Sequence, residues 1–174
     1  HLMTVSLFLV VDWSSIEYVL LMWYAGETER VAAFAGGEDP YIRFATKLFN
    51  VDYEDVTKKQ RQRAKPPVLG SGYMLGWQGL IEYSAGYGVD MSEDEAQFST
   101  NTYRIEHRLV VDAWYALKNA AHDAVRHKGM TFATHRTTLK CVKSGQYWWL
   151  IMTLPSGRHL FYCDPQLVDG KYGL

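Results

Sequence analysis

The chain has few of the residues and patterns that mark a secreted, membrane or metal-binding protein. Its two cysteines, Cys141 and Cys163, are spaced like neither a metal knuckle nor a redox pair, so we expect both to be small buried hydrophobic residues in a reducing compartment. No apolar run approaches the roughly 20 residues that span a bilayer, and the N-terminus has no signal-like pattern. His107, His122 and His127 share no ligand spacing, so we expect them at the surface or in packing. These absences predict a soluble, intracellular type of chain.

The net charge is also small. Eighteen basic and 19 acidic residues give a formal net charge of −1, so the chain lacks the global basic field that many nucleic-acid-binding proteins carry. Two phosphate-binding glycine patterns, GxxxxGKS/T and GxGxxG, are missing as well. Any surface for nucleic acid or nucleotides must therefore be local.

What the sequence does contain is enough apolar material for a core. Hydrophobic residues make up 48% of the 174 residues and aromatic residues 14%, which suits one domain or a domain with a lobe. Apolar periodicity, capping residues and glycine stops predict a series of helices up to about residue 128, one of which begins at Asp39-Pro40. From Met130 the pattern changes to strands, and Pro155-Ser156-Gly157-Arg158 predicts the turn of a hairpin between residues 147–154 and 159–163. The hairpin aromatics could serve as a base-stacking platform, but we expect them to pack in the core and at the sheet edge instead.

The stretch VSLFLVVDWSSIEYVLL, residues 5–21, combines a strand with a helix start. Its first seven residues are almost uniformly apolar and predict a buried strand that ends at Asp12. Ser14 or Ser15 can then cap a helix with Glu17 in its first turn. A carboxylate at the end of a buried strand needs a partner, such as a divalent cation. Taken alone, the stretch is better explained by Asp12 as a cap and Glu17 as a solvated acid that favours the helix dipole.

A second notable stretch follows Thr57, a predicted helix cap. Five basic residues lie within eight positions there: Lys58, Lys59, Arg61, Arg63 and Lys65. Such a run is usually a solvated helix face, although residues four apart, such as Arg61 and Lys65, share one side of a helix. Pro66 and Pro67 come next, and each interior proline costs a helix about 3 kcal/mol. We therefore expect this helix to be broken at the prolines or to begin later.

The two stretches resemble two motifs of the DNA polymerase I family (family A), in its bacteriophage-type form. DWSSIE resembles motif A, D-x-S-x-I-E, and RQRAKPPVLGSGYMLG resembles motif B, R-x3-K-x7-Y, realised as Arg61, Lys65 and Tyr73. The segment between them and the hairpin WWLIMTLPSGRHLFYCDPQL also resemble that family. The resemblance covers nearly the whole chain.

The resemblance implies an α+β, mostly helical fragment of a DNA-directed DNA polymerase, a nucleotidyltransferase of DNA replication. Residues 1–174 would form one unit: a palm strand and motif A helix at about 4–25, helices of the fingers at 26–128, and a β-rich segment at 129–174. The implied partners are a DNA primer-template and dNTPs, with no membrane. The implied location is the cytoplasm, that of the host cell if a phage encodes the chain.

The resemblance also implies roles for particular residues. Asp12 and the backbone carbonyl of Trp13 would bind Mg²⁺, with two ions in the complete enzyme. Lys65 would be catalytic, stabilising the negative charge that grows on the leaving pyrophosphate.

Five residues would bind the dNTP. Arg61 and Lys65 would contact the triphosphate, and Glu17 and Tyr73 would pair beneath the sugar. Tyr41 stands where many relatives carry a His that touches the triphosphate.

The sequence departs from the family in three ways. Pro66 and Pro67 fall inside the motif B helix, and Val68 and Leu69 replace residue types common in relatives. The His-Asp-Glu of motif C, which supplies a second catalytic carboxylate, does not occur in the sequence. We therefore expect the isolated chain to be inactive as a polymerase. The alternative is a non-catalytic nucleotide- or DNA-binding module.

Overall fold

The computed structural model describes Trp13 and residues 15–168. In this part of the chain, helices come first and a β-sheet follows, which confirms the α+β prediction. The predicted strand at residues 5–11, Asp12 and Ser14 lie outside the described residues. The helices are α1 Ile16–Ala25, α2 Thr28–Ala35, α3 Pro40–Phe49, a 3-10 turn Tyr53–Asp55, α4 Lys58–Gly72, α5 Trp77–Ala85, α6 Glu93–Glu106 and α7 Arg108–Arg126; the strands are β1 Thr131–Thr134, β2 Thr137–Ser144, β3 Tyr147–Thr153 and β4 His159–Cys163. None of these helices is long and apolar enough to cross a membrane.

Helix starts follow local capping chemistry in α3 and α4. Asp39 Oδ1 accepts hydrogen bonds from the backbone N–H groups of Tyr41 (2.8 Å) and Ile42 (3.2 Å). Thr57 begins α4 as predicted, because its side chain and that of Gln60 form a reciprocal capping box. Ser15 precedes α1 but its side chain makes no capping bond, while Ser14, the other predicted cap, lies outside the described residues. The Ser15 backbone adopts a left-handed conformation (φ 52°), and the Ser15 Oγ lies 3.5 Å from Tyr41 Oη.

Helix α4 runs without a break through Pro66 and Pro67, so the prediction that the diproline interrupts it or delays its start is wrong. Each proline removes one backbone donor, but its fixed φ lies in the helical range. Both rings are almost completely buried, with less than 2% of their surface exposed. Burial of two apolar rings offsets part of the lost hydrogen bonding. Arg61 and Lys65 therefore lie one turn apart on a continuous helix that ends at Gly72.

The core has a helical part and a part beneath the sheet, and α7 contributes to both. The N-terminal half of α7 places Val110 and Ala113 in the helical cluster. Its C-terminal half packs Ala120 and Ala124 against the sheet. The helical cluster contains, from α1, α3, α4 and α6, Tyr18, Met22, Phe44, Val68 and Tyr103.

The four strands form an antiparallel sheet in the order β1-β2-β3-β4. The predicted hairpin is confirmed as β3 and β4, with Ile151 opposite Phe161. The face that carries Leu139 and Leu150 packs on α7. Cys141 lies on that face and is buried as predicted, whereas Cys163, at the end of the edge strand β4, is exposed, so its predicted burial is wrong. Tyr147, Phe161 and Tyr162 are 43%, 58% and 46% exposed, so these three rings do not pack in the core as predicted. Phe161 and Tyr162 lie on β4, an edge strand, which agrees with the predicted place at the sheet edge.

Candidate functional site

A groove of about 370 Å³ separates the N-terminal end of α3 from one side of α4. Three residues that the sequence singled out, Tyr41, Arg61 and Lys65, line it together. Ser15 from the start of α1 and the glycine turn after α2 complete its rim. The remaining lining residues are Phe34, Gly37, Glu38, Asp39 and Pro40.

Both cations of the groove lie over one aromatic ring. The Arg61 guanidinium carbon is 5.2 Å, and the Lys65 Nζ 5.9 Å, from the centre of the Tyr41 ring. Tyr41 is only 6% exposed, so its ring is a fixed surface beneath the two cations. Cation–π attraction at such distances is worth about 0.5–1 kcal/mol at an exposed site. The four-residue spacing on α4 thus presents both cations to the same space, as predicted.

Asp39 links the cap of α3 to Arg61. Its Oδ2 accepts from Arg61 Nε (2.9 Å) and Nη2 (2.8 Å), while its Oδ1 accepts from the first amides of α3. The side chains of Arg61 and Asp39 are 39% and 28% exposed, so water reaches the pair. Pairs of this kind contribute about 0–1 kcal/mol. Asp39 therefore orients the guanidinium, but so weak an ion pair can be displaced by another anion.

Lys65 has no carboxylate partner among the described residues, and a second ring lies beside it. Its Nζ is 5.6 Å from the centre of the Tyr87 ring, which follows α5. The Tyr87 hydroxyl lies 3.0 Å from that of Tyr83, and burial, followed by this hydrogen bond, raises the pKa of Tyr83. Lys65 is thus held between two tyrosine rings with its charge unneutralised.

Sequence reasoning missed two residues, Asp39 and Tyr87, that contact the cations of this groove. Asp39 was recognised as part of a helix start, but nothing local indicated that it would also bind a side chain 22 positions away. Apart from its place before Gly88, nothing in the sequence marks Tyr87, because its contact with Lys65 depends on how α5 packs against α4.

Glu17 and Tyr73 line a different groove, of about 320 Å³, between α1 and the C-terminal end of α4. Glu17 is exposed on the first turn of α1, and Tyr73, directly after α4, is 68% exposed. No hydrogen bond joins the two side chains in the described part of the chain, so their pairing stays a prediction. A Cβ at Gly72 would come within 3.1 Å of Leu21 Cδ2, which shows how closely α4 approaches α1 at this end.

The predicted metal site cannot be assembled from the described residues. Asp12 lies outside them, and Trp13 is 80% exposed. Within Trp13 and residues 15–168, no three His, Cys, Asp or Glu side chains lie together as a metal site. The assignment of Mg²⁺ to Asp12 and the Trp13 carbonyl therefore stays a prediction.

A buried histidine lies at the junction of α6 and α7, away from either groove. His107 is 2% exposed and stacks on Tyr103 with ring centres 4.1 Å apart, which confirms its predicted packing role. Its Nδ1 lies 3.2 Å from the Tyr103 carbonyl oxygen and donates to it in the neutral tautomer that this geometry requires. Burial, and next the positive charge of Arg30, lowers the pKa of His107 to about 3.

Comparison with known proteins agrees with the resemblance seen in the motifs. Residues 3–147 match the family model for DNA polymerase family A. The chain is similar to the DNA polymerase of Bacillus phage SP02, at 32% identity over 169 residues that cover 95% of this chain and 25% of that protein. It is also similar to DNA polymerase I of Aquifex aeolicus, at 35% identity over 52% of this chain and 16% of that protein. A third relative, the DNA polymerase of Bacillus phage SP01, is 30% identical over 53% of this chain and 10% of its own length. The chain thus spans a quarter or less of the length of these relatives.

Proposed function

The chain belongs to DNA polymerase family A, and we propose that its groove between α3 and α4 binds the triphosphate of an incoming dNTP. The reaction that this binding serves is transfer of a deoxynucleotide to a primer 3′-hydroxyl on a DNA template. The observation that carries the proposal is the position of Arg61 and Lys65, one turn apart on α4 and both over the Tyr41 ring.

The chemistry of the two cations suits a triphosphate. A guanidinium can make two parallel hydrogen bonds to one phosphate, and an ammonium group acts as a compact point charge. Lys65 has no carboxylate partner in the described part of the chain, so its ammonium group can stabilise the negative charge that develops on a leaving pyrophosphate. This supports the role predicted for it as a catalytic residue.

The backbone N–H groups at the start of α3, beside the groove, are not free to bind phosphate. Helix N-termini often bind phosphate through free amides. Here Pro40 has no N–H, and Asp39 already accepts from Tyr41 N and Ile42 N. Affinity for the triphosphate must therefore depend on Arg61 and Lys65.

We propose the remaining roles on the family pattern. Glu17 and Tyr73 would lie beneath the sugar of the nucleotide, since both line the groove at the end of α4. Asp12 and the carbonyl of Trp13 would hold Mg²⁺, and the chemistry that two such ions supply is activation of the primer hydroxyl and stabilisation of the leaving group. The assignments of α1 to the palm and of α2–α7 to the fingers belong to the same proposal.

Binding and catalysis can be tested separately on the chain as it exists. We expect saturable dNTP binding but no extension of a labelled primer-template with Mg²⁺, because the sequence contains no motif C carboxylate. Robust extension that disappears in Asp12→Asn would show that the expected inactivity is wrong. Failure to bind any dNTP would contradict the proposed function itself.

A further inference from the structure

The β-sheet has one face on α7 and one face that no described element covers. Side chains alternate between the two faces along each strand. Leu139, Cys141 and Leu150 lie on the covered face and are buried. Their neighbours Lys140, Trp149 and Phe161 belong to what we call the outer face.

Aromatic rings crowd the outer face at β3 and β4. Phe161 is 58% exposed and lies edge-to-face with Trp149, at 6.5 Å between ring centres, and with His159, at 6.0 Å. Tyr147, 43% exposed, begins β3 on the same face. Exposed rings held by a rigid sheet offer π-faces on which planar groups can stack.

The sheet segment is also strongly basic, unlike the chain as a whole. Residues 128–168 contain one acidic residue, Asp164, and five basic ones: Lys128, Arg136, Lys140, Lys143 and Arg158. The Asp164 carboxylate accepts a hydrogen bond from the backbone N–H of Trp148. In the part of the chain that the structure describes, none of the five cations pairs with a carboxylate, whereas arginines of the helices do. Of the two strand lysines, Lys140 alternates onto the outer face and Lys143 onto the other, while Lys128 lies over Trp148 and Arg136 over Trp23.

The placement of Lys140 indicates what kind of partner fits. On β2 it is the register partner of Ile151, which in turn is the register partner of Phe161, so the cation shares a row with the exposed ring. The buried centres of protein–protein interfaces are depleted in lysine, because an unpaired ammonium group is costly to desolvate. Single-stranded nucleic acid instead combines bases that stack with phosphates that stay in water.

We propose that the outer face of the sheet binds single-stranded DNA, with bases stacked on Phe161 and its neighbouring rings and phosphates near Lys140. This surface is separate from the two grooves beside α4. The proposal takes DNA as the polymer from the proposed function, but it does not depend on dNTP binding.

The two cysteines provide a direct probe of this face. Cys163 is the register partner of Trp149 on the outer face and is exposed, whereas Cys141 is buried under α7. We expect an oligothymidylate to slow the reaction of Cys163 with a thiol reagent, and a duplex of equal length to slow it much less. Cys141 reports unfolding, because it reacts only if the sheet opens.

Binding of the labelled oligonucleotide, followed by fluorescence anisotropy, tests the residues. Stacking on one aromatic side chain is worth a factor of about 5 to 150, so Phe161→Ala should weaken binding within that range. Phe98→Ala on α6, where the ring is 54% exposed, is the matched control and should have no effect. Lys140→Gln should reduce the slope of log K against log salt by about 0.7, and Lys118→Gln on α7 should leave it unchanged.

The same measurements distinguish single-stranded DNA from the other partners that could bind the outer face. Protection of Cys163 that rises with protein concentration, without DNA, would identify a contact between copies of the chain and overturn the proposal. Equal protection by duplex and single strand, or unchanged affinity in Phe161→Ala, would also overturn it. A normal dNTP titration in the same sample would show that the failure concerns the sheet and not the proposed function.

Discussion

Asp39 holds Arg61 across the groove between α3 and α4, with its Oδ2 2.8 Å from Nη2 and 2.9 Å from Nε of the guanidinium. The same carboxylate caps α3 through its other oxygen. A triphosphate that binds Arg61 must share or displace this anion. The Asp39 carboxylate thus competes with the triphosphate for Arg61.

Asp39→Asn separates the two roles of this residue. Asparagine caps helices as well as aspartate does, so the free energy of unfolding should change little. Removing the negative charge should tighten dNTP binding by up to about 5-fold, in line with an exposed ion pair of about 1 kcal/mol. Calorimetric titration of a dNTP measures this.

Glu38→Gln is the matched control for that variant. Glu38 lines the same groove, but its partner is Arg43, at 2.8 Å, so the change in dNTP affinity should be smaller. Weaker dNTP binding by Asp39→Asn would contradict competition and show that Asp39 mainly positions the guanidinium.

Tyr87 should contribute to nucleotide binding through its ring and not its hydroxyl. Tyr87→Phe keeps the surface beside Lys65 Nζ and should leave dNTP affinity unchanged. Tyr87→Leu removes the ring that positions the ammonium group, and unlike Asp39 this ring is no anionic competitor of the phosphates, so affinity should weaken by at most about 2- to 5-fold, the value of an exposed cation–π contact. The same titration distinguishes the two variants, and an equal loss in both would point to the hydroxyl instead.

His107 should make the folded state sensitive to mild acid. The pKa of His107 is lowered to about 3 in the folded chain and is near 6.5 when unfolded, so the unfolded state binds one more proton between these values. Stability is therefore fully present above pH 6.5 and falls as the pH drops, by at most about 1.4 kcal/mol per pH unit. Urea unfolding between pH 5 and 7, above the range where most carboxylates titrate, measures this slope.

Two variants identify the responsible group. His107→Phe keeps a ring against Tyr103 but cannot take up a proton, so most of the slope between pH 5 and 7 should disappear. His122→Gln on α7, where the histidine is only half-buried, should keep it. A slope that survives in His107→Phe would assign the acid sensitivity to other residues.

Local chemistry explains what the sequence predicted well. The starts of α3 and α4 depend on Asp39 and Thr57, whose capping partners lie two or three residues away. The spacing of Arg61 and Lys65 likewise depends only on the helical repeat. Such features can be predicted from a single sequence because both partners belong to the same short segment.

The errors arise where tertiary packing decides. Burial of Pro66 and Pro67 keeps α4 intact despite its low intrinsic propensity, and burial depends on helices distant in the sequence. The exposure of Phe161 depends on which side of the sheet α7 covers. The contacts of Arg61 with Asp39 and of Lys65 with Tyr87 join segments about 22 residues apart, which no local pattern encodes.

The most direct test of the central claim is a dNTP titration of the double variant Arg61→Ala/Lys65→Ala. Hydrogen bonds to charged groups contribute about 1.5–3 kcal/mol each, so we predict a loss of affinity of at least 10-fold. The control is Arg108→Ala/Lys118→Ala on α7, which removes the same charges away from both grooves and should keep the affinity of the unchanged chain. Equal affinity in the two double variants would contradict the claim that the groove between α3 and α4 binds the triphosphate.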